Sequence, residues 1–219
     1  PDDELPVIVD AACSIGATVD GRPAAARGTI ACLSFHPRKL LTTGEGGACL
    51  TDDDALAHAL RVRRNHGQDA GGFSVPAGNQ RMTEMAAAIG LAQLARLDAI
   101  VARRGALAAR YREALPGLAV QRPPRGGVEE NAQTFGVLLP EGASRDALIA
   151  ALRDEGIEAG RLSYALHRVG SLAGRFRAAS PDFRVAEALE ARGLALPLHP
   201  LLEDDAQARV IAALERHLR

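Results

Sequence analysis

The chain has 219 residues, of which 47% are hydrophobic and 24% charged, and its formal net charge is −1. This length can bury a substantial core, either in one domain or in one domain and a smaller second. A near-neutral charge lacks the basic excess expected for binding nucleic acid or an anionic membrane surface. The aromatic content of 3%, without tryptophan, argues against a stacking surface for single-stranded nucleic acid.

Short buried strands are predicted near the start of the chain. Apolar runs at residues 6–11, 29–35 and 47–51 are flanked by glycine and polar residues. Runs of this kind, rich in Val, Ile and Cys, are typical of a sheet that is covered on both faces. We therefore predict an α/β fold whose functional residues lie at strand ends, where open α/β sheets place their sites.

Helical patterns follow these strands. Residues 52–54 are predicted to cap a helix that ends near Asn65, and residues 66–80 have the composition of a loop. A long alanine-rich pattern over residues 83–115 predicts one helix, with Gly105 as the position for a bend.

Residues 116–128 mark the clearest boundary, because they contain three prolines and three glycines. Beyond them the pattern changes to strand, helix, strand and two further helices, at residues 134–139, 144–155, about 158–166, 182–192 and 204–217. We therefore predict an α/β domain over residues 1–115, which ends in a long connecting helix, and a small α+β domain over residues 116–219.

The three cysteines, Cys13, Cys32 and Cys49, are an odd number and lack the spacing of a metal site. Each lies in or beside an apolar run. We therefore expect buried, reduced thiols in a cytoplasmic protein. No stretch approaches the roughly 18 apolar residues of a membrane span.

Lys39 is the only lysine among the 26 lysine and arginine residues. Arginine stays protonated and is a poor nucleophile, whereas a lysine amine can lose its proton and condense with an aldehyde to form a Schiff base. Lys39 lies on a predicted turn between two strands, near glycines that allow the backbone to approach a ligand closely. The plain alternative is that this lysine has been retained by chance.

An acidic residue lies close to this lysine in the predicted sheet. Asp10 ends the first strand, so Asp10 and Lys39 fall on neighbouring strand ends. Such a pair can hold pyridoxal 5′-phosphate (PLP), with the lysine bonded to the aldehyde and the carboxylate keeping the pyridine nitrogen protonated. Many structural ion pairs have the same appearance, so the two residues alone leave both interpretations open.

Longer motifs make the interpretation more specific. The chain resembles the DegT/DnrJ/StrS family of PLP-dependent nucleotide-sugar aminotransferases in five segments: VDAACSIGA (9–17), SFHPRKLLTTGEGG (34–47), RNHG (64–67), GNQRMTEMAAAIGLAQLARLD (78–98) and LALPLHP (194–200). The second segment is the most specific of them. The resemblance implies the fold of aspartate-aminotransferase-like, type I transferases. Residues 1–115 would be the later part of the cofactor-binding large domain, and residues 116–219 the small C-terminal domain.

The same resemblance implies residue roles. Lys39 would carry the cofactor as a Schiff base and move the proton during catalysis, Asp10 would pair with the pyridine nitrogen, and Ser34 would bind the cofactor phosphate. Asn79 would reach the phosphate bound in a neighbouring subunit, which makes the site a property of a homodimer. Cys13 occupies a cofactor-contacting position where the family usually has Gln or His.

Substrate contacts are expected at up to four further positions. Glu45 is expected to shape its turn and to help orient the sugar or its amino group. Arg81 is expected to face a phosphate, and His167 to meet the substrate. For His36, a role in packing the turn is as well supported as contact with cofactor or substrate. Gln80 stands where the family commonly has Tyr, so the cofactor is expected to be held less well.

Family members carry a long segment upstream of the Asp10 strand, which supplies a phosphate-cradling turn, a stacking aromatic ring and much of the sugar pocket. The sequence starts only a few residues before that strand. A sheet of the later strands alone is expected to expose an edge and an apolar side. Three explanations stay open: a second polypeptide supplies the first half, the chain is a fragment, or it is a decayed relative that no longer catalyses.

The function implied by the resemblance is transamination of a keto-sugar nucleotide with an amino acid donor such as glutamate. Aminated sugars of this kind feed polysaccharide or antibiotic assembly. A dehydratase activity is less favoured, because the family's dehydratases replace the lysine with histidine. The alternative from another class is a non-catalytic half-site that acts as a binding or assembly protein. No metal, nucleic acid or membrane partner is expected.

Overall fold

The computed structural model describes residues 5–122, 126–172 and 183–218. Contacts between residues divide the chain into two units. The first contains the described residues up to Ala102 together with residues 126–133, and the second contains the remainder from Arg103. A domain boundary between residues 115 and 116 stays a prediction.

The strands and helices follow one another along the chain in this order: β1 (Ile8–Asp10), β2 (Thr18–Val19), β3 (Arg22–Pro23), a 3-10 helix (Ala24–Arg27), β4 (Ile30–Ser34), β5 (Gly47–Leu50), α1 (Asp54–Arg64), β6 (Gln68–Asp69), β7 (Gly72–Phe73), α2 (Glu84–Leu94), α3 (Leu97–Ala114), β8 (Ala119–Val120), β9 (Val128–Glu129), β10 (Phe135–Leu138), α4 (Arg145–Asp154), β11 (Gly160–Arg161), a second 3-10 helix (Leu166–Arg168), α5 (Arg184–Arg192), β12 (Gly193–Leu196) and α6 (Asp204–His217).

The first unit is built around a three-stranded sheet in the order β1-β4-β5. Strand β4 runs parallel to β1 and antiparallel to β5. The three predicted strands are therefore confirmed. Because β1 and β4 point in the same direction, their last residues, Asp10 and Ser34, lie at the same edge of the sheet.

These strands are less buried than their apolar composition predicts. Ile8 in β1 is 74% exposed and Leu50 in β5 is 45% exposed. Both are in outer strands, each of which has β4 as its only neighbour in this sheet of the described chain. The prediction of a sheet covered on both faces is therefore wrong for the described residues, and the expected exposed apolar surface is present.

The helices of the first unit begin at the predicted caps. Asp53 accepts a hydrogen bond from the Leu56 amide at the start of α1, and Thr83 accepts one from the Ala86 amide at the start of α2. Each side chain thereby satisfies one of the amides that have no partner within the first helical turn.

The long helix predicted over residues 83–115 is two helices. Helices α2 and α3 meet at a 60° bend after Leu94, not at Gly105. The chain tightens at this point, since the Arg96 amide donates to the Gln93 carbonyl three residues back. The sequence has neither glycine nor proline there, so it gives no signal for the bend. No single described helix is long and apolar enough to cross a membrane; only this bent pair reaches that length and composition.

The second unit has a four-stranded antiparallel sheet in the order β11-β12-β10-β8. Its core contains fully buried apolar side chains: Tyr111, Phe135, Leu107, Leu139, Leu152, Leu194 and Leu214. The Tyr111 hydroxyl donates to the Pro197 carbonyl at 2.9 Å, and its ring stacks on Phe135 with centroids 5.2 Å apart. Burial raises the pKa of Tyr111, so this hydroxyl stays protonated as a donor.

Most of the predicted elements of the second unit are confirmed. Helix α4 is capped by Ser144, and α6 has the predicted bounds. Helix α5 covers residues 184–192 of the helix predicted over 182–192, with Phe183 as its N-cap, and residue 182 lies outside the described residues. The strand predicted over about 158–166 is only β11. Strand β12 was not predicted; it follows α5 without any intervening loop residue.

Candidate active site

The Lys39 side chain extends from a tight turn that follows β4. The Lys39 amide donates to the His36 carbonyl at 2.9 Å, and Pro37 occupies the second turn position, where its restricted φ is favoured. The next residues, Leu40 and Leu41, are buried and anchor the turn. Lys39 is half-buried.

The Lys39 amine contacts the loop that follows β1. Its Nζ donates to Sγ of Cys13 over 3.0 Å. Cys13 is exposed and comes three residues after Asp10. Asp10 is exposed, and its Oδ1 accepts from the Ala12 amide at 3.1 Å, which orients the carboxylate. The two loops therefore bring an amine, a thiol and a carboxylate to one edge of the sheet.

Ser34 and His36 shape the turn that carries Lys39. The Ser34 Oγ accepts from the His36 amide at 3.4 Å, and Nδ1 of His36 accepts from the Arg38 amide at 3.1 Å. In the neutral ring an accepting Nδ1 leaves the proton on Nε2. This geometry fits the role in turn packing that the sequence left open for His36, and its contact with substrate stays a prediction.

Glu45 lies in a loop whose backbone conformation is restricted by a hydrogen bond and by a glycine. The Thr43 hydroxyl donates to the Glu45 carbonyl at 2.7 Å, while the Glu45 side chain is exposed. Gly46 has φ +152°, and a Cβ atom there would lie 2.6 Å from Thr43 Oγ1. The GEGG motif thus fixes the path of the chain from Lys39 back into β5.

Asn79 and Arg81 lie on a separate segment of the first unit. The Asn79 Oδ1 accepts from the Arg81 amide at 3.1 Å, and the Arg81 guanidinium donates to Asn65 Oδ1 at 2.9 Å. A cavity of about 660 Å³ here has Arg61, Arg64 and Arg81 in its lining. Contact of Asn79 with a phosphate in another subunit stays a prediction.

His167 lies in the second unit. Its Nε2 is 3.0 Å from Glu187 Oε1, and its ring stacks on Phe183 with centroids 4.2 Å apart. The hydrogen bond from His167, with the nearby Arg168, holds the pKa of Glu187 below its usual range. These contacts give His167 a structural role within its own unit, and a substrate contact stays a prediction.

Two residues that the sequence did not single out connect the loops of the site. Asn131 is 6% exposed, and its Nδ2 donates to the carbonyls of Cys13 at 2.9 Å and Ile15 at 2.8 Å. Gln133 bonds through its side chain to the backbone on both sides of Lys39. The sequence carries no signal for either residue, because the hydrogen bonds of an isolated Asn or Gln depend on which backbone groups the fold brings near it.

The cysteines differ from the expectation of burial. Cys13 and Cys49 are exposed and Cys32 is half-buried. Cys13 lies in the loop after β1, and Cys49 lies in β5, an outer strand of the sheet. Cys32 and Cys49 are direct cross-strand partners. Burial raises the pKa of the Cys49 thiol, and the adjacent Cys32 adds to the rise.

The residues at this sheet edge suit the chemical groups of PLP. Lys39 offers a primary amine for the aldehyde and Asp10 a carboxylate for the pyridine nitrogen. Ser34 offers a hydroxyl for the phosphate; its oxygen accepts from His36, so its proton is left for a ligand. The donor set therefore fits this cofactor.

The α/β fold, with Lys39 on a loop at this sheet edge, is typical of a PLP-dependent transferase. The model of the DegT/DnrJ/EryC1/StrS aminotransferase family matches residues 2–215. The chain therefore belongs to this aminotransferase family, as its motifs predict.

Named relatives agree with this assignment. The chain is 38% identical over 222 aligned residues to GDP-perosamine synthase of Caulobacter vibrioides, covering 98% of this chain and 59% of that protein. The structure of DesI in the presence of its TDP-sugar product matches with a TM-score of 0.86 and 34% identity, over 97% of this chain and 55% of that one.

A third similar structure is the PLP form of Spr1654 from Streptococcus pneumoniae, with a TM-score of 0.84 and 25% identity over 98% of this chain and 59% of that one. These structures confirm the predicted α/β fold class. The chain spans less than two thirds of the length of each of these relatives.

Proposed function

We propose that this chain is the lysine-bearing part of a PLP-dependent aminotransferase that acts on a keto-sugar nucleotide. The observation that carries the proposal is the position of the only lysine. Lys39 is half-buried on a turn at the sheet edge, with Nζ 3.0 Å from Sγ of Cys13 and with Asp10 at the end of the neighbouring strand. The relatives named for sugar nucleotides support the substrate class.

PLP, when bound, supplies an electron sink that stabilises negative charge on the substrate carbon. Lys39 would hold the aldehyde through its amine and, once released, would move a proton as general acid and base. Asp10 would keep the pyridine nitrogen protonated through its oriented carboxylate. Ser34 would donate its hydroxyl proton to the phosphate.

Further parts of the proposal concern partners and location. Asn79 would reach the phosphate of a neighbouring subunit, so the active form would be a homodimer, and an amino acid such as glutamate would be the amino donor. Free thiols at Cys13, Cys32 and Cys49 support a reducing, cytoplasmic compartment. The product would enter polysaccharide or antibiotic-sugar assembly.

A non-catalytic binding role is the second candidate, and the exposed apolar residues of the first unit favour it. Leu5 is 84% exposed and Met85 is 78% exposed. Surfaces of this kind commonly mark interaction sites. A protein of this class would keep the fold and bind PLP weakly or not at all.

One experiment separates the two candidates. Purified protein is mixed with PLP, reduced with borohydride and digested, and the modified amine is located by mass spectrometry. We expect modification at Lys39 and its absence in Lys39→Arg, which keeps the charge but is a poor nucleophile. Transamination with glutamate should fall by at least about 10³-fold in this variant, because the nucleophile and the proton carrier are both lost. Wild-type protein that stays unmodified at saturating PLP would contradict the proposal.

A further inference from the structure

The side-chain amide of Gln133 holds the backbone on both sides of Lys39. Its Oε1 accepts from the Leu40 amide at 3.1 Å, and its Nε2 donates to the Arg38 carbonyl at 2.8 Å. One rigid amide group therefore bonds to the residue before Lys39 and to the residue after it. The direction in which the Lys39 side chain leaves the turn depends on both of these bonds.

Asn131 holds the opposing loop in a similar way. Its Nδ2 donates to the carbonyls of Cys13 and Ile15, and its Oδ1 accepts from the Gln133 amide at 3.0 Å. The Asn131 side chain is thus joined to the backbone of Gln133, and the two side chains together bond to both loops. They fix the loop that carries Cys13 relative to the turn that carries Lys39. These two residues form the 3.0 Å contact between Nζ of Lys39 and Sγ of Cys13.

The residue between them has an unusual backbone. Ala132 has φ +48° and is 3% exposed. A left-handed conformation is costly for any residue with a Cβ atom and persists where the surroundings determine it. The conformation is therefore imposed by the structure around residues 131–133, where Asn131 and Gln133 bond to two different loops.

The chain also contains a matched amide farther from Lys39. Gln93 bonds to the backbone of Thr42, with its Oε1 accepting from the Thr42 amide at 3.2 Å and its Nε2 donating to the Thr42 carbonyl at 2.5 Å. Both glutamines are half-buried and each makes two bonds to the same loop. They differ in that Gln133 brackets Lys39, whereas Gln93 holds a residue three positions later.

We propose that Gln133 is a positioning residue for the Lys39 amine, supported by Asn131, and that it sets how well this amine captures PLP. The inference rests on the role of Lys39 proposed above and adds the group that aims it. Gln133 would act through the backbone on both sides of Lys39. Its bonds restrict the turn to the arrangement in which the amine lies against Cys13.

Four variants test the inference in the intact, purified protein. Gln133→Met removes both amide bonds at similar side-chain length, and Gln133→Asn keeps an amide but shortens its reach. Gln93→Met and Gln93→Asn are the matched controls, since they remove an equal number of bonds from the same loop. Thermal midpoints and far-ultraviolet circular dichroism identify variants that fold.

Two readouts are taken for each variant. The first is the rate of PLP capture at Lys39, extrapolated to saturating PLP and measured by borohydride trapping. The second is the reactivity of Lys39 towards acetic anhydride in competition with the amino terminus, which needs no PLP and is unambiguous because the chain has one lysine. Loss of positioning lowers the first and raises the second, since a released amine is more accessible but less well aimed.

We expect both Gln133 variants to capture PLP at least about tenfold more slowly than wild type, because misplacement of a reacting group by about 1 Å costs up to about a hundredfold. Their acetylation should rise, while the Gln93 variants stay close to wild type in both readouts. Capture by Gln133→Met and Gln133→Asn at the wild-type rate, or an equal loss in the Gln93 variants, overturns the inference. If the wild type captures no PLP, the proposed function fails instead. In that case the acetylation of Lys39 is the only test of the positioning role. Equal reactivity of Lys39 towards acetic anhydride in the Gln133 and Gln93 variants overturns that role.

Discussion

The two units of this chain differ in how far their large apolar side chains are buried. The second unit has a core of large side chains on an antiparallel sheet, and Leu152, Leu194 and Phe135 in it are no more than 1% exposed. In the first unit Ile8 of β1 and the large apolar side chains of α2 are exposed, and none of the described residues of α2 is buried. Its buried residues include Leu40, Leu41, Thr43, Ala11 and Asn131 around the loops of the site, besides Ala31, Val62 and Ile100.

The difference shows two ways of fixing a structure. The second unit is held by apolar area removed from water, which stabilises by about 25 cal/mol per Å² and is largely independent of direction. The site of the first unit is held by amide side chains that bond to specific backbone groups, as Gln133 and Asn131 do. Hydrogen bonds are directional, so they determine where the Lys39 amine lies as well as whether the loop is ordered.

Truncation of apolar side chains tests this comparison with the largest expected effect. Leu152→Ala in the second unit should lower the free energy of unfolding by about 2–5 kcal/mol, because Leu152 is 0% exposed and leaves a cavity. Ile8→Ala in the first unit should cost less than about 0.5 kcal/mol, because Ile8 is 74% exposed. Urea titration measures both. A cost for Ile8→Ala as large as that for Leu152→Ala would show that β1 is covered in the protein in solution, and the comparison would fail.

A loop glycine tests whether the first unit is fixed by its backbone geometry. Gly67 has φ +76°, and a Cβ atom there would lie 1.7 Å from the Val75 carbonyl oxygen. Gly67→Ala should therefore destabilise by about 2 kcal/mol or more, through both backbone strain and steric overlap.

The control is Gly71→Ala in the adjacent hairpin, where no atom lies within 4 Å of the added Cβ. We expect this variant to stay within about 0.5 kcal/mol of wild type. Thermal denaturation of both variants side by side gives the comparison. Equal stability of the Gly67 and Gly71 variants would mean that the loop relaxes freely and does not hold the segment that bears Asn79 and Arg81.

The smallest expected effect concerns charge on the surface of the second unit. Glu155 Oε1 is 2.7 Å from His217 Nε2, and its Oε2 is 2.5 Å from the Arg216 guanidinium. The hydrogen bond from His217 and the charge of Arg216 lower the pKa of Glu155. A lowered pKa in the folded state stabilises the protein above the unfolded pKa of glutamate, about 4.3, and the gain is lost as the pH falls through the folded value.

Glu155→Gln should therefore lower the thermal midpoint slightly at neutral pH and have no effect in strong acid. Glu141→Gln is the control, because the Glu141 side chain is 93% exposed and its ion pair to Arg192 is 4.0 Å long. Midpoints at several pH values measure the difference. A Glu155→Gln effect that is constant from neutral to acidic pH would exclude the ion pairs as its cause.

Local signals predicted many of the elements correctly. Asp53, Thr83 and Ser144 are cap residues whose side chains bond to the amides of the following turn, so helix starts are encoded within four residues. The strands β1, β4 and β5 follow from short apolar runs between glycine and polar residues. Failures occurred at the bend after Leu94, which no local residue marks, and at β12, which follows α5 directly.

The candidate site likewise contains residues that local sequence signals identified and residues that they did not. Lys39 was found because it is the only lysine, and the turn that carries it was found from the two flanking strands and the following glycines. Gln133 could not be found from sequence, since it is 94 residues away from Lys39 and an isolated glutamine has no distinctive pattern. Only the folded chain shows that its amide spans the residues on both sides of the lysine.

The sequence by itself determined the family, the strand and helix types and the chemically distinct amine, because each of these depends on the residue type and on its near neighbours. The tertiary structure decided which side chains surround that amine and which apolar residues are buried. Contacts such as those between Asn131 and Cys13 join residues far apart in sequence. Their geometry depends on how loops pack against a sheet edge, which no local pattern of residues specifies.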